Sequence, residues 1–470
     1  MDTSFRWGYF RWNGFYFGGL DGRHQGRYWT LVKEHSHVVN AAVSGLSALP
    51  GTGQTFSATR AMTRFLNHPD VPFHAVIEPA QDAVRQALRS SSSACALVVH
   101  DWCMFGFGTH TAKKDRLQRS HDHDLGYDSH DHDLGYELGT ALVVDAGDGR
   151  PLGPMELRLR TANGMLSTRV SAAAMPPGHI DEVLDAMTAA RGWNLDQQLV
   201  HVIDREADSV GHYRDWHRRG HQFLVRADND RLVQWRDRER QMADVVAEFS
   251  RDFQDVLHDR GEPEIVTIRA GTGRVRVAET QVVLHRPAKK ATGEKTAGGH
   301  KKKMAVPGPP ITLRLIVTRV VDEHGQTLAE WCLLTNVDAA IADAATMGRW
   351  YAWRWRIETF HKLLKSAGMN AEEWQQETGA AFLRRLCVVV MSCLTVWHLQ
   401  REDGEAAQRL RTILVRLSGR QMKHGVESTA PALLAGLEKL LAIDDLLQTE
   451  DLQEILTLAR QVLPKLFRSD

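Results

Sequence analysis

Four polar residues of this chain are spaced so that one helix would carry them on a single face. Their offsets within segment 349–365 are 0, +3, +7 and +14, and they are Tyr351, Arg354, Glu358 and Lys365. At about 3.6 residues per turn these offsets fall within roughly 60° of the helix circumference. The spacing predicts an amphipathic helix whose polar face, these four residues, carries a carboxylate flanked by two cations and a phenol.

The opposite side of this predicted helix is apolar, because it carries Trp353, Ile357, Phe360 and Leu364. We therefore expect that side to pack inward and the polar face to point outward. Two interpretations of the polar face are open. It is the solvated surface of an ordinary helix, or it is a site in which the carboxylate holds a metal ion and the Arg, Lys and Tyr side chains hold phosphate oxygens.

Composition limits the class of protein. A chain of 470 residues is expected to form two or three domains. Its 58 Lys and Arg residues balance 58 Asp and Glu residues, so any surface that binds nucleic acid must be local. The five cysteines include no C-x-x-C pair, which favours buried thiols in a reducing cytoplasm over disulfides or a zinc finger. The aromatic N-terminus contains no continuous apolar run, so neither a signal peptide nor a membrane partner is expected.

The pattern of apolar runs predicts an α/β protein with helical domains at both ends. Residues 1–70 are predicted to form a helical DNA-binding domain, with a helical cap on the next domain as the alternative. Three short runs at 95–99, 141–144 and 157–159 predict an antiparallel meander, and helices and strands then alternate to residue 225. This order is typical of a ribonuclease H-like sheet. Residues 71–370 are therefore predicted to form a ribonuclease H-like domain.

A β-rich block interrupts this pattern. Its strands are predicted between about 240 and 335, before the helix that carries Glu358. The block includes a Gly- and Lys-rich stretch at 289–303, expected to be a mobile loop that adds phosphate affinity if it faces nucleic acid. Residues 371–470 are predicted to form a helical dimerisation domain.

A nine-residue duplication rich in His and Asp occupies residues 120–136. Its spacing matches no standard zinc site, so a lengthened surface loop is favoured over a metal site.

Two aspartates follow short apolar runs in the predicted sheet. Asp101 follows the run 95–99, and Asp204 follows the run 199–203. Because ligands collect at the carboxyl ends of strands in α/β sheets, these two side chains are expected to face one another. With Glu358 they would form a cluster of negative charge that divalent cations neutralise. Two Mg²⁺ ions about 4 Å apart would suit in-line phosphoryl displacement. Alone, each aspartate is better explained as a turn residue or a helix cap.

Together these residues resemble a known family. Asp101, the segment Asp204-Arg-Glu-Ala-Asp208 and the Y-x2-R-x3-E-x6-K spacing of the polar face are similar to the DDE transposases of bacterial insertion sequences. Within that group the chain resembles the family named after insertion sequence four, which includes the transposon-five transposase. The similarity runs from about residue 25 to about residue 400. The first 20 or so residues depart from the usual N-terminus of the family.

The resemblance implies a function and a set of roles. The chain would be a cut-and-paste transposase that cleaves transposon ends, in several relatives through a hairpin, and joins the 3′ ends to target DNA. Asp101, Asp204 and Glu358, hereafter the carboxylate triad, would be catalytic and bind two Mg²⁺ ions, with Mn²⁺ as a substitute. The residues implied in DNA binding are Tyr351, Arg354, Lys365, Trp331 and Arg226, with Trp331 stacking on a flipped base.

The resemblance also implies partners and a location. These are double-stranded DNA with terminal inverted repeats, target DNA, and a second copy of the chain in a homodimer on paired ends. The location would be the bacterial cytoplasm, in association with the nucleoid. Two alternatives remain: a ribonuclease H-like nuclease, which needs the carboxylate triad but not the Tyr, Arg and Lys residues, and a DNA-binding protein that derives from a transposase and has lost its chemistry.

Overall fold

The computed structural model of this chain describes most of its length. The described residues are 19–35, 55–119, 133–170, 175–176, 178, 180–249, 252–258, 261–295, 301–365, 368–423, 426–448 and 450–463. The predictions for residues 1–18 and for most of the duplication at 120–136 lie outside these ranges.

Strands and helices follow one another in the order that the sequence suggests. The strands are β1 Cys95–Gly106, β2 Leu117–Arg119, β3 Asp133–Asp145, β4 Pro151–Thr161, β5 Gly164–Ser167, β6 Gln198–Ile203, β7 Gln222–Arg226, β8 Leu232–Trp235, β9 Arg238–Gln241, β10 Gln254–Asp255, β11 Ile265–Ile268, β12 Gly271–Leu284, β13 Ala288–Lys295, β14 Lys301–Val306, β15 Ile311–Val321 and β16 Thr327–Thr335. The helices are α1 Gly22–His35, α2 Thr55–Asn67, α3 Phe73–Arg89, α4 Glu182–Arg191, α5 Val210–Arg218, α6 Met242–Glu248, α7 Ala344–Trp353, α8 Trp355–Leu364, α9 Gly379–Arg401, α10 Glu405–Ser418, α11 Ala430–Leu447 and α12 Leu452–Val462.

One large mixed sheet organises the described part of the chain. It has 14 strands in the order β5-β4-β3-β1-β6-β7-β16-β15-β12-β8-β9, with β2 beside β3 and with β10 and β11 beside β12. Strand β1 is antiparallel to β3 and parallel to β6, which is parallel to β7. The predicted α/β class and the predicted meander are confirmed. Strands β10, β11, β12, β15 and β16 of the β-rich block extend the same sheet, because β16 pairs with β7, whereas β13 and β14 form a separate two-stranded sheet.

Two local predictions in the β-rich block are wrong. The short apolar runs at 275–277 and 282–284 predict two separate strands, but both lie in β12, whose ladder with β15 continues from Arg274 to Leu284. The Lys-rich stretch was expected to be a loop, but its described ends pair as the β13–β14 hairpin. In both places cross-strand pairing decides the outcome, since it depends on a neighbouring strand and not on local composition.

Helix α9 lies at the centre of the main hydrophobic core. It packs against α1, α2, α3, α8, α10 and α11. The core it shares with them extends from Leu20 to Leu441. Helices from the predicted domains 1–70 and 371–470 thus contact each other directly, and the domain boundaries at 70 and 370 remain predictions.

Helix α9 is also long and apolar enough to span a membrane by length and composition alone. However, 89% of its most apolar stretch is buried inside the protein. Core helices of proteins without membrane spans show the same property, so this helix is weak evidence for a span.

A matched pair of leucine substitutions tests the position of α9. Leu386 is fully buried in α9, and Leu458 in α12 is 53% exposed. We expect Leu386→Ala to lower the free energy of unfolding by about 2–5 kcal/mol, because it leaves a cavity in the core. Leu458→Ala should change it by less than about 0.5 kcal/mol. Urea denaturation measures both values, and equal effects would contradict a core position for α9.

Candidate active site

Strand register brings Asp101 and Asp204 together. The parallel ladder between β1 and β6 ends at the pair His100 and Ile203, so Asp101 and Asp204 are the next residues on the two strands. The prediction that a strand ends before Asp101 is wrong, because β1 continues to Gly106. It does so because β3 keeps pairing with it where β6 has stopped, with Asp101 opposite Thr140. Asp101 and Asp204 therefore come close at the point where β1 extends beyond the end of its parallel neighbour β6.

Asp204 is held by one local backbone contact and one distant side-chain contact. Its backbone is extended, with φ −75° and ψ 179°, and its side chain caps a 3₁₀ turn at Arg205–Ala207. The Arg205 amide donates to its Oδ1 at 2.7 Å. The Tyr351 hydroxyl donates to the same oxygen at 2.9 Å. The hydrogen bond from Tyr351 thereby joins α7 to the end of β6.

The helix predicted across residues 349–365 consists of two helices that meet at Arg354. Arg354 retains helical dihedrals, φ −50° and ψ −34°, but its amide bonds to Tyr351 O at 3.0 Å, three residues back. The Ile357 amide likewise bonds to Arg354 O at 3.1 Å. Bonds of this kind tighten the turn. Helix α8 then ends at Leu364, so Lys365 lies just beyond it.

The prediction that the polar face points to solvent is wrong. Tyr351 is 3% exposed and Arg354 is 4% exposed. Both side chains are turned toward the strands, since Tyr351 bonds to Asp204 and Arg354 contacts Asp101 and Asp204. The expectation of an outward face was wrong because the spacing along one helix gives no information about what packs against it.

All members of the carboxylate triad contact the guanidinium of Arg354. One nitrogen, Nη1, lies 3.5 Å from Asp101 Oδ2. The other, Nη2, lies 3.2 Å from Asp204 Oδ2 and 3.0 Å from Glu358 Oε1. Carboxylates from β1, from the end of β6 and from α8 thus surround a single cation.

This environment shifts the pKa values of the two aspartates in opposite directions. Burial raises the pKa of Asp101 to about 6, and the charges of Glu358 and Glu206 add to the effect. Burial would also raise the pKa of Asp204, but Arg354, the Arg205 amide, Tyr351 and Arg226 together lower it below its usual value. Burial and the charge of Asp204 raise the pKa of Tyr351, so its phenol stays protonated and donates.

The triad has the donor chemistry of a magnesium site. Carboxylate oxygens are the ligands that Mg²⁺ prefers, and these three already gather around one positive charge. Within the described ranges, however, no group of three or more His, Cys, Asp or Glu residues is arranged to hold a metal ion. The three carboxylates are arranged around Arg354. The three side chains are therefore ligands of the type that Mg²⁺ prefers, but Arg354 contacts all of them in this structure.

The other predicted site residues lie at different distances from the triad. Arg226 ends β7, and its Nη1 is 4.0 Å from Asp204 Oδ1. Lys365 lies beside a later part of β1, where its Nζ donates to Met104 O at 2.7 Å and pairs with Glu372 at 3.1 Å. Trp331, on β16, lines an apolar cavity of about 170 Å³ together with Tyr351 and Trp355. Arg226 and Tyr351 therefore join the triad, whereas Lys365 and Trp331 flank it.

Sequence reasoning assigned no role to three residues that contribute to this site. Trp355 is 55% exposed and its ring lies 5.2 Å from the Arg354 guanidinium. Glu372 pairs with Lys365 and accepts from the Gly106 amide at 2.8 Å. Glu206 contributes to the raised pKa of Asp101. Trp355 is adjacent to Arg354, and Glu206 lies inside the segment Asp204–Asp208. These positions were the available signal, whereas nothing in the sequence around Glu372 indicated its contact.

A comparison with protein families bears on this arrangement. Residues 180–394 match the family model of the transposase DDE domain. The matched transposase domain includes Asp204, Glu358 and the DNA-binding residues predicted above, and it begins after Asp101. The match supports a DNA transposase, an enzyme of DNA recombination that cuts DNA.

Among solved structures, the chain is similar to the piggyBac transposase in a cryo-EM structure of its synaptic complex with hairpin DNA. The identity is 10% and the TM-score is 0.36, over 96% of this chain and 77% of that chain. A likeness of this strength carries no argument about the function of this chain.

The opposite pKa shifts of the two aspartates predict opposite effects of substitution. The pKa of Asp101 is raised on folding, so its contribution to stability is present below pH 4 and is lost as the pH rises through about 6. Asp101→Asn should therefore be more stable than the wild type at neutral pH, by roughly 1–3 kcal/mol, with the difference shrinking toward pH 4. Urea denaturation in EDTA across this range measures the difference.

Asp204→Asn is the matched comparison. The pKa of Asp204 is lowered on folding, so its contribution is present above pH 4 and is lost as the pH falls. Asp204→Asn should therefore be less stable than the wild type at neutral pH. If both variants moved in the same direction, the electrostatic description of the site would be wrong.

Proposed function

We propose that this protein is a cut-and-paste DNA transposase of a bacterial insertion sequence, of the insertion-sequence-four type. The convergence of the three carboxylates on Arg354 is the observation that carries this proposal. It supports a catalytic role for the carboxylate triad, because independent elements meet at one point. The match to the transposase DDE domain supports DNA cleavage as the reaction that the triad would catalyse.

The catalytic core is proposed to be ribonuclease H-like. In the sheet, antiparallel strands β4, β3 and β1 are followed by the parallel strands β6 and β7, which agrees with such a core. The β-rich block would then be an insertion before the helices that carry Tyr351, Arg354 and Glu358. Apart from the β13–β14 hairpin, its strands extend the sheet.

The proposed chemistry assigns a role to each residue of the site. Asp101, Asp204 and Glu358 would hold two Mg²⁺ ions, which would activate a water or a 3′ hydroxyl of the DNA and stabilise the leaving oxygen. Arg354 and Arg226 would bind phosphate oxygens as charged donors, and Lys365 would do so once released from Glu372. Tyr351 would donate a hydrogen bond, since its raised pKa keeps the phenol protonated.

The proposed substrate is double-stranded DNA that carries terminal inverted repeats. The protein would cut it, with a hairpin as the proposed intermediate, and would join the 3′ ends to target DNA. We propose a homodimer on paired ends, with residues 371–470 in dimerisation and residues 1–70 in DNA binding, in the bacterial cytoplasm. Strand joining is the step that separates this function from that of a ribonuclease H-like nuclease.

Neutral substitutions of the triad test the proposal. Asp101→Asn, Asp204→Asn and Glu358→Gln should each abolish cleavage and strand joining of a duplex that carries the repeats bordering the gene, measured in Mg²⁺ on denaturing gels. Each substitution keeps side-chain volume but removes a negative charge that would hold the ion. Glu323→Gln, an exposed substitution in the turn between β15 and β16, is the control and should leave activity unchanged. Normal cleavage by all three triad variants would refute the site assignment.

Trp331 tests the proposed hairpin step. If its indole stacks on a flipped base, Trp331→Ala should slow hairpin formation more than first-strand nicking, because stacking compensates part of the cost of unstacking, a few kcal/mol. Trp331→Phe keeps a stacking surface and should retain most of the hairpin rate. Time courses that resolve nicked and hairpin products give both rates. Equal slowing of the two steps by Trp331→Ala would remove the base-stacking role.

A further inference from the structure

Two roles compete for the guanidinium of Arg354. The proposed function requires it to bind a DNA phosphate, whereas in the DNA-free protein it contacts Asp101, Asp204 and Glu358. The side chain cannot do both at full strength, since its two terminal nitrogens already face the carboxylates. Two roles also compete for Tyr351, because its hydroxyl already donates to Asp204.

We propose that Arg354 acts as an internal cation that closes the metal site in the DNA-free protein, and that a DNA phosphate opens the site by withdrawing it. This inference rests on the proposed function, because it takes the carboxylate triad as the metal site. It adds a coupling between the binding of DNA and the binding of metal, which the separate roles of these residues do not include.

Charge balance is the first reason for this coupling. Three carboxylates around one guanidinium leave a net negative charge, and a further cation, Arg226, lies 4.0 Å from Asp204. A divalent cation that entered beside Arg354 would be repelled by it at short range and in a partly buried setting. A phosphate that arrived alone would be repelled by the carboxylates. Arrival of both, with Arg354 moving to the phosphate, balances the charges.

The surroundings of Arg354 provide the second reason. Its Nε–H is buried and donates to no partner among the described residues, so the carboxylates leave one donor of the guanidinium unsatisfied. The ring of Trp355 lies 5.2 Å away and is 55% exposed. A guanidinium that moves toward solvent would pass over this aromatic face, which stabilises cations. Arg354 thus has both an unused donor and an outward route toward a phosphate.

Thermodynamic linkage makes the coupling measurable from the metal side alone. If DNA raises the affinity for metal, removal of the guanidinium should raise it without DNA. Coupling between sites is typically between about 5-fold and 150-fold, and we expect a change in that range.

The test measures Mn²⁺ binding to the full-length, DNA-free protein by electron paramagnetic resonance. Arg354→Gln should bind Mn²⁺ more tightly than the wild type by at least about 5-fold. Lys362→Gln is the matched control, because Lys362 is an exposed cation on the same helix, and its Mn²⁺ affinity should equal that of the wild type. The double variant Arg354→Gln with Glu358→Gln should lose the gain, since it lacks one of the proposed ligands.

The DNA side is tested with a pre-cleaved duplex that bears the terminal repeat and ends in a 3′-dideoxynucleotide, so that joining cannot occur. Saturating duplex should raise the Mn²⁺ affinity of the wild type, after subtraction of binding to DNA alone, and should raise that of Arg354→Gln much less. A rise of equal size in both proteins would overturn the role of Arg354 in the coupling.

The outcomes distinguish this inference from the proposed function. If Glu358→Gln and Asp204→Asn weaken Mn²⁺ binding but Arg354→Gln leaves it unchanged or weaker, the inference fails and the metal site stands. If no triad substitution changes Mn²⁺ binding in any background, the metal assignment fails and the inference fails with it.

Circular dichroism checks that each variant is folded. Arg354→Lys serves if Arg354→Gln does not fold, and it should raise Mn²⁺ affinity less, because an ammonium keeps the charge but not the fork.

Discussion

The contact of one guanidinium with three carboxylates links the parts of this protein that lie far apart in sequence. Asp101, Asp204 and Glu358 come from two strands and a helix, and Arg354 touches all of them. Without a central positive charge, three carboxylates this close would repel one another in a partly buried setting. The joint between α7 and α8 lies at Arg354, so the local geometry of these helices and the charge balance of the site depend on the same residue.

The sheet provides the rigid support for this arrangement. Strand β1 pairs with β6 for half of its length and with β3 for nearly all of it, so it extends beyond β6 at the point where Asp101 and Asp204 meet. Strand β16 adds to β7 and brings Trp331 to the cavity beside Tyr351. Side chains carried on regular elements are held more precisely than those on loops. Within the carboxylate triad, Asp101 lies on β1 and Glu358 on α8, whereas Asp204 lies in a capping position just beyond β6.

The two aspartates differ in the way they are neutralised. Asp101 is buried with acidic neighbours and has a raised pKa, whereas Asp204 receives hydrogen bonds and positive charge and has a lowered pKa. A buried acid with a raised pKa is under-neutralised at neutral pH, and a further cation would relieve it. The asymmetry agrees with a site whose charges are balanced only when additional ligands arrive.

The sequence by itself determined the α/β class, the antiparallel meander, the spacing of the polar face and the candidate residues, because these follow from periodicity and side-chain chemistry. It could not determine that β1 passes Asp101, that the helix breaks at Arg354, or that the polar face is buried. These features depend on strand pairing and packing between distant segments, which no local pattern encodes. Only the tertiary structure decided that Arg354 lies among the carboxylates, since long-range charge balance sets that position.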